Sequence, residues 1–208
     1  MLEHPKACDT TNVKDSHDNT MGNQQEIFNQ ADFAWLAGII EGEGTIAMNA
    51  RKKQWKGWKG FGVDLQIYIT NSDAGIIEKS VNVLRSIGIE PLISERDSVP
   101  IRKENGGFYN SCKTIMVVNV NRMSDIAKVL ISIIPFMAGE KTSRARLMLK
   151  YIERRMSRQG QRSSGGYSWG DNDDWKMVID FYALQGKEFR PEVKEFLNEH
   201  TRLNHKVE

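Results

Sequence analysis

Two hydrophobic periods alternate along the chain. Asp32 is followed by the apolar run FAWLAGII. A short carboxylate ahead of such a run is a helix N-cap signal, so a helix is predicted from Phe33 to about Gly42. The period then changes to two. Thr45, Ala47, Asn49, Arg51 and Lys53 alternate with Ile46, Met48 and Ala50, which predicts a strand with one polar, partly basic face. After a turn-like KKQWKGWKG segment, Val63, Leu65, Ile67 and Ile69 face one way on a second strand. Asp64, Gln66, Tyr68 and Thr70 face the other. Ser72 or Asp73 caps a second helix, AGIIEKSVNVLRSIG, in which Ile76, Ile77, Val81 and Leu84 form an apolar stripe that Gly88 ends.

The pattern then repeats. IEPLISE and KTIMVVNVN predict two more strands around a long polar connection, residues 97–112, and MSDIAKVLISII predicts a helix stopped by Pro135. Another helix is predicted over 140–158. RQGQRSSGGYSWGDNDD predicts a linker, and two acidic helices follow near 173–185 and 190–200. The fold class is therefore α+β: an αββαββα core on a twisted antiparallel four-stranded sheet, plus C-terminal helices. Residues 1–30, polar and low in aromatics, are expected to form a flexible tail, with the core over 31–158, a linker over 159–172 and a helical extension over 173–208.

Composition narrows the function less than charge placement does. The net charge is +2, yet residues 31–162 hold 21 basic against 13 acidic residues, and both flanks are net acidic. From Lys141 to Arg162 there are eight basic residues and one acid, Glu153, which points to contact with a polyanion. The longest apolar run contains Pro135 and is too short to span a bilayer, so no membrane association is expected. The N-terminus lacks the layout of a secretion signal, and Cys8 and Cys112 define neither a zinc site nor a disulfide framework. All four histidines, His4, His17, His200 and His205, lie outside the core, which argues against a histidine-metal nuclease or a histidine-based hydrolase. No GxxxxGK[ST] phosphate loop is present.

WLAGIIEGEGTI, residues 35–46, carries Glu41 and Glu43 at the predicted C-terminal end of a helix, where the macrodipole favours cations. Two carboxylates there repel each other as well. A divalent cation removes both penalties, and Mg2+ prefers carboxylate oxygens. On the same helix Ala34, Gly38 and Gly42 recur every four residues, a spacing that lets a second helix approach closely.

LAGIIEGEG, residues 36–44, resembles the signature nonapeptide of the LAGLIDADG homing endonucleases, with Glu at both acidic positions. The element order resembles that family's core over roughly residues 31–158. The resemblance implies that Glu43 binds Mg2+ (or Mn2+), with Glu41 as a secondary ligand or a support of the helix end. It also implies that Asn71 orders water and that Lys141 lies near the scissile phosphate. A basic residue common one turn beyond Asn71 is replaced by Gly75, which leaves its charge to Lys141 or Arg144. Single-motif chains of the family pair as homodimers through the motif helix, here Ala34, Gly38 and Gly42.

The polar strand faces then imply readers of double-stranded DNA in the major groove: Asn49, Arg51 and Lys53 on the first strand, Gln66 and Tyr68 on the second. Lys56 and Lys59, with Trp55 and Trp58, would grip backbone or flanking bases, and Arg96, Lys113 and Arg144 complete the set. The expected activity is metal-dependent, site-specific cleavage of double-stranded DNA at a roughly palindromic site, inside a cell and on its DNA. The alternatives on the same fold are an intron maturase that binds intron RNA and a non-catalytic DNA-binding regulator.

Overall fold

The computed structural model describes residues 18–55, 58–96, 101–102, 108–109, 114–158 and 172–204. Helix α1 (Asp18–Gly42) leads into strands β1 (Gly44–Trp55) and β2 (Trp58–Asn71), then α2 (Ala74–Ser86), β3 (Leu92–Arg96), and the short strands β4 (Ile101–Arg102) and β5 (Phe108–Tyr109). Strand β6 (Ile115–Val120), α3 (Met123–Ile133), a single 3-10 turn (Ile134–Phe136) and α4 (Lys141–Ser157) follow. Helices α5 (Asn172–Leu184) and α6 (Pro191–Asn204) complete the described chain. The main sheet is antiparallel in the order β1-β2-β6-β3, so the α+β class and the αββαββα order hold.

Five local expectations change. Helix α1 begins at Asp18, so residues 18–30 are helical rather than tail-like; the segment holds no proline to stop the helix extending backwards. Asp32 is consequently inside the helix. Its carboxylate faces Lys79 of α2 at 3.5 Å instead of capping its own helix. Residues 52–55 and 58–60 continue the two strands, pairing Trp55 with Trp58, and the polar connection 97–112 contains the paired strands β4 and β5. Finally, neither Gly42 nor Gly44 has the positive φ expected of a glycine helix exit. Gly44 is needed for proximity instead: a Cβ there would lie 2.7 Å from the Ile40 Cα, so only glycine lets β1 start against the last turn of α1.

Asp73 is the cap of α2, its carboxylate accepting from the backbone N–H groups of Gly75 (2.8 Å) and Ile76 (3.2 Å). Gly88, at φ +72°, closes that helix. The apolar faces of the strands and helices meet in one core. Ile46, Met48, Ile67 and Val118 of the sheet pack with Leu36 and Ile40 of α1, Leu130 of α3 and Met148 of α4.

The C-terminal helices belong to this core. Val178 and Phe181 of α5 and Val193 of α6 are fully buried in the same cluster. Phe196 of α6 stacks on Phe61 of β2 (4.5 Å between centroids) and meets Trp175 edge-on at 5.2 Å. At the N-terminal turn of α5, Asp174 is 1% exposed and receives Arg154 (3.1 Å), Arg155 (3.4 Å) and Arg158 (3.4 Å), while Arg154 also reaches Asp173 at 2.6 Å. The second half of the basic run is therefore turned toward α5, and these three arginines join α4 to α5. Position along the chain concealed this, because the neutralising acids stand about five helical turns later in the sequence.

Replacing Asp174 with Ala removes the anion those arginines share. The variant is expected to unfold in urea with about 3 kcal/mol less stability, the low end for breaking a buried pair because the arginines stay partly hydrated. A loss below about 1 kcal/mol would assign the joint to apolar packing alone.

Candidate active site and nucleic-acid face

The acidic end of α1 is held by a partner far along the chain. The Lys141 ammonium, at the first turn of α4, donates to the carbonyls of Ile40 (2.9 Å), Glu41 (2.8 Å) and Gly44 (2.7 Å). These are the orphan carbonyls of the helix end and the first carbonyl of β1, so one cation ties the helix exit to the strand start. It also supplies the positive charge that the macrodipole calls for. Burial and the nearby Arg144 lower the pKa of Lys141 below its ordinary value, and the Glu41 carboxylate opposes that shift.

Glu41 repays the arrangement at the other helix. Its carboxylate accepts from the Thr142 hydroxyl (3.4 Å) and lies against Gly139, where an added Cβ would meet Oε2 at 1.8 Å. Glu140, at the N-cap position of α4, makes no side-chain capping bond, so Glu41 brings the anion to that N-terminus from across the fold. Glu41 is thereby directed toward α4.

Glu43 points elsewhere. It is exposed, and its carboxylate accepts from the Asn71 amide at the end of β2. Asn71 is itself fixed, because its Oδ1 accepts the Asp73 N–H at 2.8 Å in the turn that starts α2. Glu43 and Asn71, 28 positions apart, are thus brought into contact. Lys141 donates its hydrogen bonds to the backbone on either side of Glu43.

The fit to a divalent cation is that of a partial site. A hard cation takes oxygen donors, and Glu43 offers an exposed carboxylate beside a side-chain amide. Among the described residues no three His, Cys, Asp or Glu side chains come together in one chain. These residues suit a metal whose remaining oxygens come from phosphate, water or a second copy.

The small residues of α1 are open. Ala34, Gly38 and Gly42 are all exposed, and a Cβ added to Gly38 or Gly42 would meet nothing within 4 Å. Packing among the described residues therefore gives no reason for glycine at either position.

The strand register sets the opposite face of the sheet. Asn49 stands across from Asp64, Ala47 from Gln66 and Thr45 from Tyr68, and the pairing continues through Asn119 to the β3 side that carries Arg96. Asn49, Arg51, Lys53, Gln66, Tyr68 and Arg96 therefore share one face. The feature missed in the sequence is Asp64. It pairs with Arg51, its diagonal neighbour on β1, and with Lys53 (2.5 Å), one step further along the same face. The period-two pattern had already placed Asp64 with Gln66; the hairpin register was the missing signal. Lys56 and Lys113 lie outside the described residues, as do the side chains of Trp55, Trp58 and Lys59. The same holds for both cysteines, for His4, His17 and His205, and for the side chain of His200.

No family model matches the chain, and no curated protein matches it. Among solved structures, it is similar to the homing endonuclease I-CvuI in complex with the I-CreI target, at 14% identity and a TM-score of 0.46, covering 74% of this chain and 97% of that one. It is similar also to the LAGLIDADG homing endonuclease I-GzeII in complex with its DNA target (14% identity, TM-score 0.49, 78% of this chain and 47% of that one). A third is I-SmaMI bound to cleaved DNA, with 18% identity, a TM-score of 0.43, and coverage of 74% and 43%.

Lys141→Met keeps the aliphatic stem and removes the three donors. It is expected to lower stability by about 2–3 kcal/mol in thermal or urea unfolding. Lys141→Arg should not restore it, because a planar fork cannot converge on three carbonyls as an ammonium does. Full recovery with arginine would mean that charge alone holds the helix end.

Proposed function

We propose that the chain is a LAGLIDADG-type, site-specific DNA endonuclease that works as a homodimer with Mg2+ or Mn2+. The observation that carries this reading is the placement of Glu43: an exposed carboxylate at the end of a helix whose small-residue stripe faces open space. A second α1 laid against that stripe brings a second Glu43 to the same centre and completes the partial site by symmetry. The LAGIIEGEG sequence and the αββαββα order support the same reading.

In this account Glu43 supplies the metal-binding carboxylate of each subunit, and Asn71 fixes its orientation and presents polar atoms to solvent beside it. Glu41 and Lys141 keep the helix end rigid, and Lys141 acts on the reaction through the backbone around Glu43. The Glu43 carboxylates would hold a divalent cation, which would supply Lewis-acid stabilisation of the charged phosphodiester during hydrolysis. Asn49, Gln66, Tyr68 and Arg51 face the base edges in the major groove, while Arg96 and Lys53 lie toward the margins. On α4, Arg144 and the exposed Arg146 and Lys150 remain for phosphate contact. A reading as an RNA-binding maturase uses the same basic sheet face but has no use for an exposed Glu43.

Two experiments test this. Incubated with a randomised DNA library and Mg2+, the wild-type protein is expected to cut a recurrent, roughly palindromic site. Glu43→Gln should lose cleavage by at least about 100-fold, the scale of losing one charge-stabilising group, while binding is kept. RNA binding without DNA cleavage would favour the maturase. Gly38→Leu separates fold from pairing, since the position is open within one chain. The variant should fold as well as wild type, gaining up to about 1 kcal/mol of helix propensity, yet run as a monomer on light scattering. A wild-type monomer in the presence of DNA would contradict the dimer.

A further inference from the structure

The C-terminal helices make two contacts that packing alone does not explain. Among the described residues strand β1 is an edge of the main sheet, paired with β2 alone, so its outer backbone groups need another partner. The Ala50 N–H donates to the Tyr182 hydroxyl of α5 at 3.1 Å, and the Ile46 carbonyl accepts from the Gln185 amide at 3.3 Å, just after α5. Both lie on the outer side of the strand, four residues apart, as the period of two requires.

The location of these bonds matters. Ala50 is buried on the helix-packed side of the sheet, and its neighbours Asn49 and Arg51 project from the open face. A backbone bond at Ala50 therefore fixes the twist of the strand between two of the residues that face DNA. Tyr182 is rigid in turn, with its ring stacked on Phe189 at 3.9 Å and 24°. Asp173 and Asp174 anchor the start of the same helix to α4 through Arg154, Arg155 and Arg158.

We infer that the C-terminal helices are a brace for the recognition strand, with Tyr182 as a positioning residue for base discrimination by Asn49 and Arg51. This rests on the proposed DNA-binding function. The brace contributes specificity more than affinity. Phosphate contacts made elsewhere are unaffected by a small change in the twist of β1, whereas bidentate contacts to base edges tolerate little displacement.

Tyr182→Phe tests the inference, because it removes the hydroxyl and leaves the ring stack. Gln185→Met removes the second contact with little change in volume. Each variant is compared with wild type for Ala50 amide exchange, for binding to the preferred duplex, and for binding to duplexes substituted singly along the half-site. Tyr182→Phe is expected to exchange Ala50 several-fold faster and to discriminate roughly three- to tenfold less at one or two adjacent base pairs. Binding to unrelated DNA should be unchanged. Gln185→Met should shift the same positions in the same direction. Unchanged discrimination in both variants, with a selective wild type, overturns the brace and leaves the endonuclease reading standing. A uniform loss of affinity across all duplexes also overturns it, since that is the signature of general destabilisation. A wild type with no preferred duplex overturns the DNA-reading function and the brace with it.

Discussion

The end of α1 depends on an exchange of charge between two helices. A carboxylate at a helix C-terminus and a lysine at a helix N-terminus are each unfavourable alone. Here Lys141 leaves the start of α4 to cap the end of α1, and Glu41 leaves the end of α1 to meet the start of α4. Each side chain relieves the other helix, and the two ends are locked face to face. Gly44 and Gly139 permit this closeness, one by admitting β1 against the Ile40 backbone and the other by admitting the Glu41 carboxylate.

This lock explains why two glutamates two residues apart behave differently. Glu41 is used internally, which leaves Glu43 as the exposed acid, oriented by Asn71 and standing on a backbone held on both sides by Lys141. A carboxylate at a helix end is costly unless something offsets it. The lysine offsets the helix dipole, and a cation shared with a second subunit would offset the remaining charge. The proposed chemistry and the proposed pairing thus address one electrostatic problem.

Much of the fold was legible because its signals are local. The period-two runs of β1 and β2, the Asp73 cap, the stop at Pro135 and both C-terminal helices follow from neighbouring residues alone. What was hidden depends on distant partners. Asp32 looked like a cap because Lys79 could not be placed beside it, and the helix ran on to Asp18. The arginines at 154, 155 and 158 looked like a phosphate surface until Asp174 came to lie among them. Lys141 looked like a group for the phosphate, and its contacts are with carbonyls about a hundred residues away. At the site, the Glu43–Asn71 contact joined residues singled out by family resemblance, while Asp64 and Tyr182 escaped notice because their roles exist only once the hairpin register and the edge of the sheet are known.

The central claim is that two copies of α1 lie side by side and bring their Glu43 ends to one centre. Spin labels at Ser72, an exposed residue next to Asn71, report on it directly when Cys8 and Cys112 are replaced by serine. Helices packed through glycine faces have axes about 8 Å apart, so labels on the DNA-bound protein should show strong dipolar broadening at roughly 10–20 Å. Spectra without intermolecular broadening, or a separation of several tens of ångströms, would contradict the shared centre.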